Sequence, residues 1–264
     1  MQERHTNRIQ YFEEQVYTTE KYVIPFINKI KPVSSDMQIL EIGCGEAGNL
    51  LPFLQRGCTC IGIDMSDFKV DIARKIFEEK KEEGKKLTLI VDDIFNRVGE
   101  YGGKFDLIII RDTLEHIHGH EKFMQDVKQF LKSDGKIFLG FPPWQNPFGG
   151  HQQIAESKII SKVPFFHLLP KPIYLGILKM FGESQSSIDE LLNIRSTRIT
   201  IGQFISMMKR LSYKIDLEEL YFINPNYEVK FKLKPRLQSK FITSIPYLRN
   251  FLVTTCYYLV SPLK

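Results

Sequence analysis

What the chain lacks narrows it quickly. It has four cysteines in 264 residues (Cys44, Cys58, Cys60 and Cys256), with no CxxC pair and no ligand spacing. That argues against a disulfide-stapled secreted scaffold or a cysteine metal site, and reads as reduced thiols. Charge of one sign is nearly balanced out: 36 Lys and Arg against 31 Asp and Glu leave a formal +5. This permits an anionic ligand or a membrane surface without demanding one, and gives no strong case for nucleic acid. Internal repeats and low-complexity tracts are absent. So are long unbroken apolar runs. The richest stretch, 163–181, is interrupted by three prolines and two lysines, and 241–260 carries Arg249, Pro246 and Asn250, so neither reads as a transmembrane helix. The first residues are polar with no apolar signal core, which predicts no export and a cytoplasmic location.

What is present is an ordinary globular composition, 43% hydrophobic and 25% charged, long enough for one large domain or a domain with an insertion. The most informative stretch is 39–48, Ile-Leu-Glu-Ile-Gly-Cys-Gly-Glu-Ala-Gly. An apolar strand runs into Gly43, Gly45 and Gly48, and a helical pattern follows at once. That spacing allows a tight turn, a close backbone approach and a helix N-terminus aimed at a ligand. Asp64 ends the next apolar stretch, where an acid can accept hydrogen bonds from both hydroxyls of a ribose. The pattern is that of a nucleoside-cofactor site.

Strand and helix alternate from Met37 onward. Strands are expected at 38–42, 59–63, 87–91, 105–110 and 136–141, with helices at 49–56, from Ser66 to near Gly84, and at 120–132. The 105–110 run has no alternation, as befits a central parallel strand. Such repeats predict a parallel α/β sheet with helices on both faces. Residues 1–36 form an N-terminal helical cap and 37–145 the cofactor-binding core. After Phe141 the rhythm breaks into a Pro- and Gly-rich loop and an apolar insertion, 146–198. A helix at 200–211, a strand at 213–223 and a second strand at 227–233 make an antiparallel hairpin that ends the core at 199–234, with Asn-Pro-Asn (224–226) as its turn. Val229, Phe231 and Leu233 would be its buried face. An apolar segment, 235–264, closes the chain.

In order along the chain, Glu41–Gly48, Gly-Ile-Asp-Met-Ser (62–66), Val-Asp-Asp-Ile (91–94) and Phe105–Ile117 resemble the class I S-adenosylmethionine-dependent methyltransferases. Among these the likeness is to the small-molecule group that includes quinone-biosynthesis enzymes. The resemblance covers roughly 37–145 and resumes near 199–223. It implies a Rossmann-like, doubly wound seven-stranded sheet whose last strand is antiparallel, with a helical lid inserted after the fifth strand. It also implies S-adenosylmethionine as cofactor. Gly43, Cys44 and Gly45 would then lie beneath the methionine and sugar portions, and Gly48 would allow close helix–strand packing. Glu41 would lie near the methionine end and Asp64 would hold the ribose. Asp93 and the Ile94 N–H would contact the adenine, with Met65 and Ile94 sandwiching it. Asp92 is the alternative adenine contact. Arg111, after the fourth strand, joins the cofactor-binding set.

The acceptor would be a small molecule, apolar or aromatic, walled by Trp144, Phe148 and Phe166. His116, and after it His151, are the candidate bases for an oxygen acceptor. The His116, His118 and His120 run lacks an accompanying acid or cysteine at a ligand spacing, so no metal is expected. Lys230, Lys232, Lys234, Arg236 and Lys240 beside apolar residues admit a peripheral membrane contact. Two rivals stay open: an NAD(P)-dependent reductase, whose glycine fingerprint is similar, and a non-catalytic cofactor-binding or membrane-associated partner protein.

Overall fold

The computed structural model describes residues 7–263, so the first six residues of the expected helical cap lie outside it. Five strands, β1 (Gln38–Ile42), β2 (Thr59–Asp64), β3 (Leu87–Val91), β4 (Phe105–Arg111) and β5 (Leu131–Phe141), pair in parallel. Three more follow: β6 (Tyr213–Ile223), β7 (Arg236–Leu237) and β8 (Thr255–Pro262). The sheet order is β3-β2-β1-β4-β5-β8-β6-β7, with β8 wedged between β5 and β6 and antiparallel to both. The Rossmann-like α/β class and the antiparallel last strand are as expected. The expected seven strands become eight through the two-residue edge strand β7.

Both faces of the sheet are covered, which explains why its central strands do not alternate. Leu40, Ile42, Ile108 and Ile110 point into one core with Phe123, Val127 and Phe204. Ile39, Leu107 and Ile109 point into the other with Phe26, Phe53 and Phe77. Each such side chain contributes roughly 1.5–3 kcal/mol on burial, so the run Phe105–Ile110 gains most at the centre of the sheet.

The helical cap is a single rod with a defect. Helix α1 (Arg8–Thr18) passes through a π turn, Thr19–Val23, into α2 (Ile24–Asn28). The widened turn carries an extra residue, so the consecutive Thr18 and Thr19 are both buried. The helix after the glycine loop, α3 (Leu51–Gln55), is shorter than expected. Helix α4 (Asp67–Glu79) starts where expected, with the Ser66 hydroxyl accepting from the Lys69 N–H. The later helix at His120–Val127 is α5.

The predicted hairpin is corrected. Residues Asn226–Phe231 form a short helix, and Val229, Phe231 and Leu233 are exposed instead of half-buried. The place beside β6 is taken by β8, whose Cys256–Val260 are buried on both faces. A stretch studded with lysine at every second residue cannot match that burial. Consequently the end of the predicted apolar tail, 255–262, belongs to the sheet.

The insertion leaves β5 at its C-terminal end and folds around its own small core. Ala155, Ile160, Phe166, Tyr174, Leu178, Ile188 and Leu191 pack together through α6 (Lys171–Met180) and α7 (Gln185–Ser196). The chain re-enters the main body through α8 (Ile201–Arg210), whose start is fixed by a reciprocal cap between Thr200 and Gln203.

Candidate cofactor and acceptor site

The glycine loop sits at the C-terminal ends of β1 and β2. Gly43 and Gly45 have φ of +75° and +52°, a region costly for other residues. A side chain at Gly43 would also strike Thr113, whose Cγ2 lies 2.6 Å from the Cβ position. Most of the loop's backbone donors are used within the protein: the N–H groups of Gly43 and Cys44 both donate to the Ile63 carbonyl, and that of Ala47 to Cys44. Gly45 donates to Asp64 Oδ2 at 2.9 Å, and Gly48 to Gln15 Oε1 at 3.1 Å. Asp64 Oδ1 accepts in turn from the Ser66 N–H at 2.8 Å. Its carboxylate is thus fixed across the loop with further acceptor capacity in hand.

Beneath the loop lies a buried polar network. Asn49 Nδ2 donates to Glu41 Oε1 at 2.6 Å, and Arg111 Nη1 donates to Asn49 Oδ1 at 2.8 Å and to Thr19 Oγ1 at 3.3 Å. The Thr19 hydroxyl donates to the same Asn49 oxygen at 2.8 Å. Glu41 Oε2 is buried with no hydrogen-bond partner among the described residues. Burial pushes the Glu41 carboxyl up to about 8, against the opposing pull of Asn49 and the Arg111 charge. Burial also works against the charge on Arg111, but Tyr257, Asp112, Tyr11 and Glu41 outweigh it and its pKa rises.

A second cluster stands at the end of β4. The rings of His116 and His151 meet edge to face with centroids 5.0 Å apart. One ligand atom each from Glu115, His116 and His151 lie within 4.8 Å of one another. Burial, helped by the Lys69 charge, lowers the His116 pKa although the residue keeps a solvent-exposed part. Burial and the Asp112 charge hold the Glu115 carboxyl far above the usual range, and its Oε2 has no partner among the described residues. Asp112 and His151 both adopt φ of +51°. Strained backbone at one cluster member and at Asp112, three residues before Glu115, is what functional sites often show.

A methyltransferase domain model matches residues 13–155, just over half of the chain. This chain belongs to the methyltransferase domain family. Among curated proteins it is similar to the ubiquinone biosynthesis O-methyltransferase of Actinobacillus pleuropneumoniae, 35% identical over 104 residues, or 39% of this chain and 44% of that one. The chain spans about half or less of the length of the curated relatives it matches. Among solved structures, phosphoethanolamine N-methyltransferase 2 of Haemonchus contortus, solved with S-adenosyl-L-methionine, aligns with a TM-score of 0.60 at 14% identity. That alignment covers 100% of this chain and 59% of that one. Magnesium protoporphyrin IX methyltransferase of Synechocystis PCC 6803, solved with bound SAH, aligns at 0.54 and 14% identity over 95% and 84%.

The methyltransferase domain brings most of the predicted residues to one edge of the sheet, with some reassigned. Gly48 does not serve helix–strand packing: a Cβ there would lie 2.5 Å from the Phe12 carbonyl, so its contact is with the N-terminal helix. The Cys44 side chain is buried against Gly62, and Arg111 is taken up by Asn49 and Thr19, so both shape the loop from beneath. Met65 is 79% exposed and Ile94 buried. Asp92 is engaged by Arg97, Asn96 and the Asp93 N–H, which leaves Asp93 the more open of the pair.

Of the three expected wall residues, Phe166 belongs to the insertion's own core and Trp144 is buried against His167. Phe148 is half-buried. His118 and His120 turn away to Asn193 and the Leu114 carbonyl.

Asn49 and Thr19 were missed. Asn49 reads as one polar residue at the start of an apolar helix. Thr19 is inward only because of a π turn that periodicity does not reveal. A groove of about 1040 Å³ also opens between α1 and α4, lined by Ile9, Val16, Ile72 and Ile76 among others, and no predicted site residue lines it.

Proposed function

We propose that this domain binds S-adenosylmethionine and transfers its sulfonium methyl to a small, apolar or aromatic acceptor. The observation carrying this reading is the glycine loop itself. A dinucleotide pyrophosphate is held by free backbone N–H groups, yet those of Gly43, Cys44, Gly45, Ala47 and Gly48 all donate within the protein. Carboxylates flank the loop instead: Asp64 for the ribose diol and the unpartnered Glu41 oxygen toward the ammonium of the methionine end. Asp93, Met65 and Ile94 complete the adenine side. An acid at the ribose serves either kind of cofactor, whereas the second acid, Glu41, suits a cationic methionine end and disfavours a dinucleotide anion.

The reaction is an in-line displacement. The acceptor atom bonds to the methyl carbon as the carbon–sulfur bond breaks, and that electron pair stays on sulfur, leaving S-adenosylhomocysteine. Alignment supplies most of the acceleration, with effective molarities up to roughly 10⁵–10⁸ M in well-oriented pairs. With an oxygen acceptor, neutral His116 takes the departing proton and His151 orients its ring. The insertion 146–198 overhangs the C-terminal end of β5 as the acceptor-side lid, with Phe148 on its inner wall. No helix among the described residues is long and apolar enough to cross a membrane. We place the protein in the cytoplasm, meeting its apolar acceptor at a membrane surface.

The test is thermal stabilisation by S-adenosylmethionine, S-adenosylhomocysteine, NADH and NADPH, with Asp64→Ala as control. Ligand at 100 times its dissociation constant adds about 2.7 kcal/mol. A shift with the two adenosyl compounds, lost in the variant, supports the reading; a shift with a nicotinamide cofactor instead overturns it. A second reading of Glu115, His116 and His151, as holders of a divalent cation, is favoured by the unpartnered Glu115 oxygen. Dialysis against EDTA separates the two: loss of turnover restored by a divalent cation assigns the trio to the ion.

A further inference from the structure

The geometry points to the excursion between β6 and β8, residues 224–254, as a docking surface for an anionic lipid bilayer. The inference rests on the apolar acceptor proposed above and names the surface by which that acceptor is reached.

Three independent observations carry it. The first is placement. Arg111, Gly140, Tyr257 and Glu219 form one row across the sheet. Beyond that row β5 ends at Phe141, β6 ends at Ile223 and β8 begins at Thr255, so the excursion, which touches the sheet between its ends through β7 beside Tyr221–Ile223, lies at the edge that carries Asp112 and the acceptor cluster. The ring contact between Phe165 and Phe251 joins it to the insertion over the same edge.

The second is exposure. Phe231, Leu233, Leu237, Phe241 and Tyr247 all lie open, with Phe241 at 74% and Tyr247 at 71%. Single exposed apolar residues need no explanation, but a run of them does.

The third is charge. Residues 224–254 hold five lysines and arginines between 230 and 240 plus Arg249, against Glu228 alone. The whole formal excess of +5 therefore resides in this stretch. Glu228 is turned inward, to Lys21 and Tyr22 on the N-terminal helix. Lys232, Lys234, Arg236 and Lys240 are exposed among the aromatics.

Apolar side chains interleaved with lysine suit insertion at the headgroup boundary of an anionic membrane. A second copy of this chain is disfavoured as the occupant, because a two-fold contact would set one basic patch against another. Docked this way, the mouth of the acceptor site faces the bilayer.

The experiment is co-sedimentation of the full chain with vesicles of phosphatidylcholine alone and of phosphatidylcholine mixed with phosphatidylglycerol. Binding is expected only to the mixed vesicles and should weaken as salt rises. One basic residue near the surface is worth about fivefold in affinity, so combined Lys232→Ala, Lys234→Ala and Arg236→Ala should cost on the order of 100-fold. Phe241→Ser with Tyr247→Ser should lower binding at any salt. Stabilisation by S-adenosylmethionine should be unchanged in both variants, which separates this surface from the cofactor reading. Equal binding to both vesicle types, or binding untouched by the substitutions, overturns the inference. So does a concentration-dependent dimer abolished by the same changes.

Discussion

The Phe12 carbonyl stands 2.5 Å from where a Cβ on Gly48 would sit, so the third glycine of the loop is the seat of the N-terminal helix. Gly48→Ala should therefore act on that helix. The Gln15 side chain, which accepts from the Gly48 N–H, would be displaced as well. Overpacking of this kind costs about 1–3 kcal/mol. The expected result is a lowered Tm and new protease cleavage within 8–18. Undisturbed protection of that segment would show that the helix yields without undocking.

Glu41 supplies a pH dependence whose sign is fixed. Burial pushes its carboxyl up to about 8, from an ordinary 4.5. The folded state keeps a proton that the unfolded chain releases across that window, so this contribution is complete below 4.5 and is lost as pH rises toward 8. Its ceiling is on the order of 5 kcal/mol. Urea unfolding between pH 5 and 8 should show stability falling, and Glu41→Gln should flatten the slope. S-adenosylmethionine should bind more tightly as pH rises over the same range, since the cationic methionine end favours the ionised carboxylate. Comparison with Glu41→Gln subtracts the ligand's own titration. A wild-type slope identical to that of the variant would remove Glu41 from the methionine end.

The glycine loop, Asp64 and the parallel strands were legible because each rests on local chemistry: glycine at positive φ, an acid at a strand end, apolar runs at strand length. The pairing of β8 was not. Val229–Lys234 alternates as a strand should, yet the sheet chose Thr255–Pro262, since only a stretch such as Cys-Tyr-Tyr-Leu-Val can be buried on both faces. Each segment read alone is compatible with a strand, and only their competition for one place beside β6 decides between them. The positions of Asn49 and Thr19 were hidden for a related reason: the network that holds them runs to partners distant in sequence, Arg111 among them.

The His116 pKa is lowered, chiefly by burial, so the imidazole is neutral and able to accept a proton at pH 7. For an oxygen acceptor, kcat should rise with pH through that lowered value and level off by neutrality. His116→Ala should cost about 10²–10⁴-fold in kcat, and His151→Ala should lower kcat less while shifting the midpoint of the profile. A pH-independent rate in the wild type, together with a normal rate in His116→Ala, would assign the histidines to packing.

Close contact accounts for both Gly149 and Gly150 at the start of the insertion. A Cβ on Gly149 would lie 2.3 Å from the Trp144 carbonyl, and one on Gly150 only 2.1 Å from His167 Cβ. His167 Nε2 lies 2.7 Å from that same carbonyl and donates to it. Burial lowers the His167 pKa to about 4, so the ring stays neutral. The pair thus pins the insertion to the end of β5. Gly150→Ala should loosen 151–196, seen as faster amide exchange there, while exchange in β1, β2 and β4 stays slow. Because the cofactor residues lie outside the insertion, stabilisation by S-adenosylmethionine should persist and KM for the acceptor should rise. If cofactor stabilisation fell in parallel, the insertion would be part of the cofactor site and the division between donor and acceptor sides would have to be redrawn.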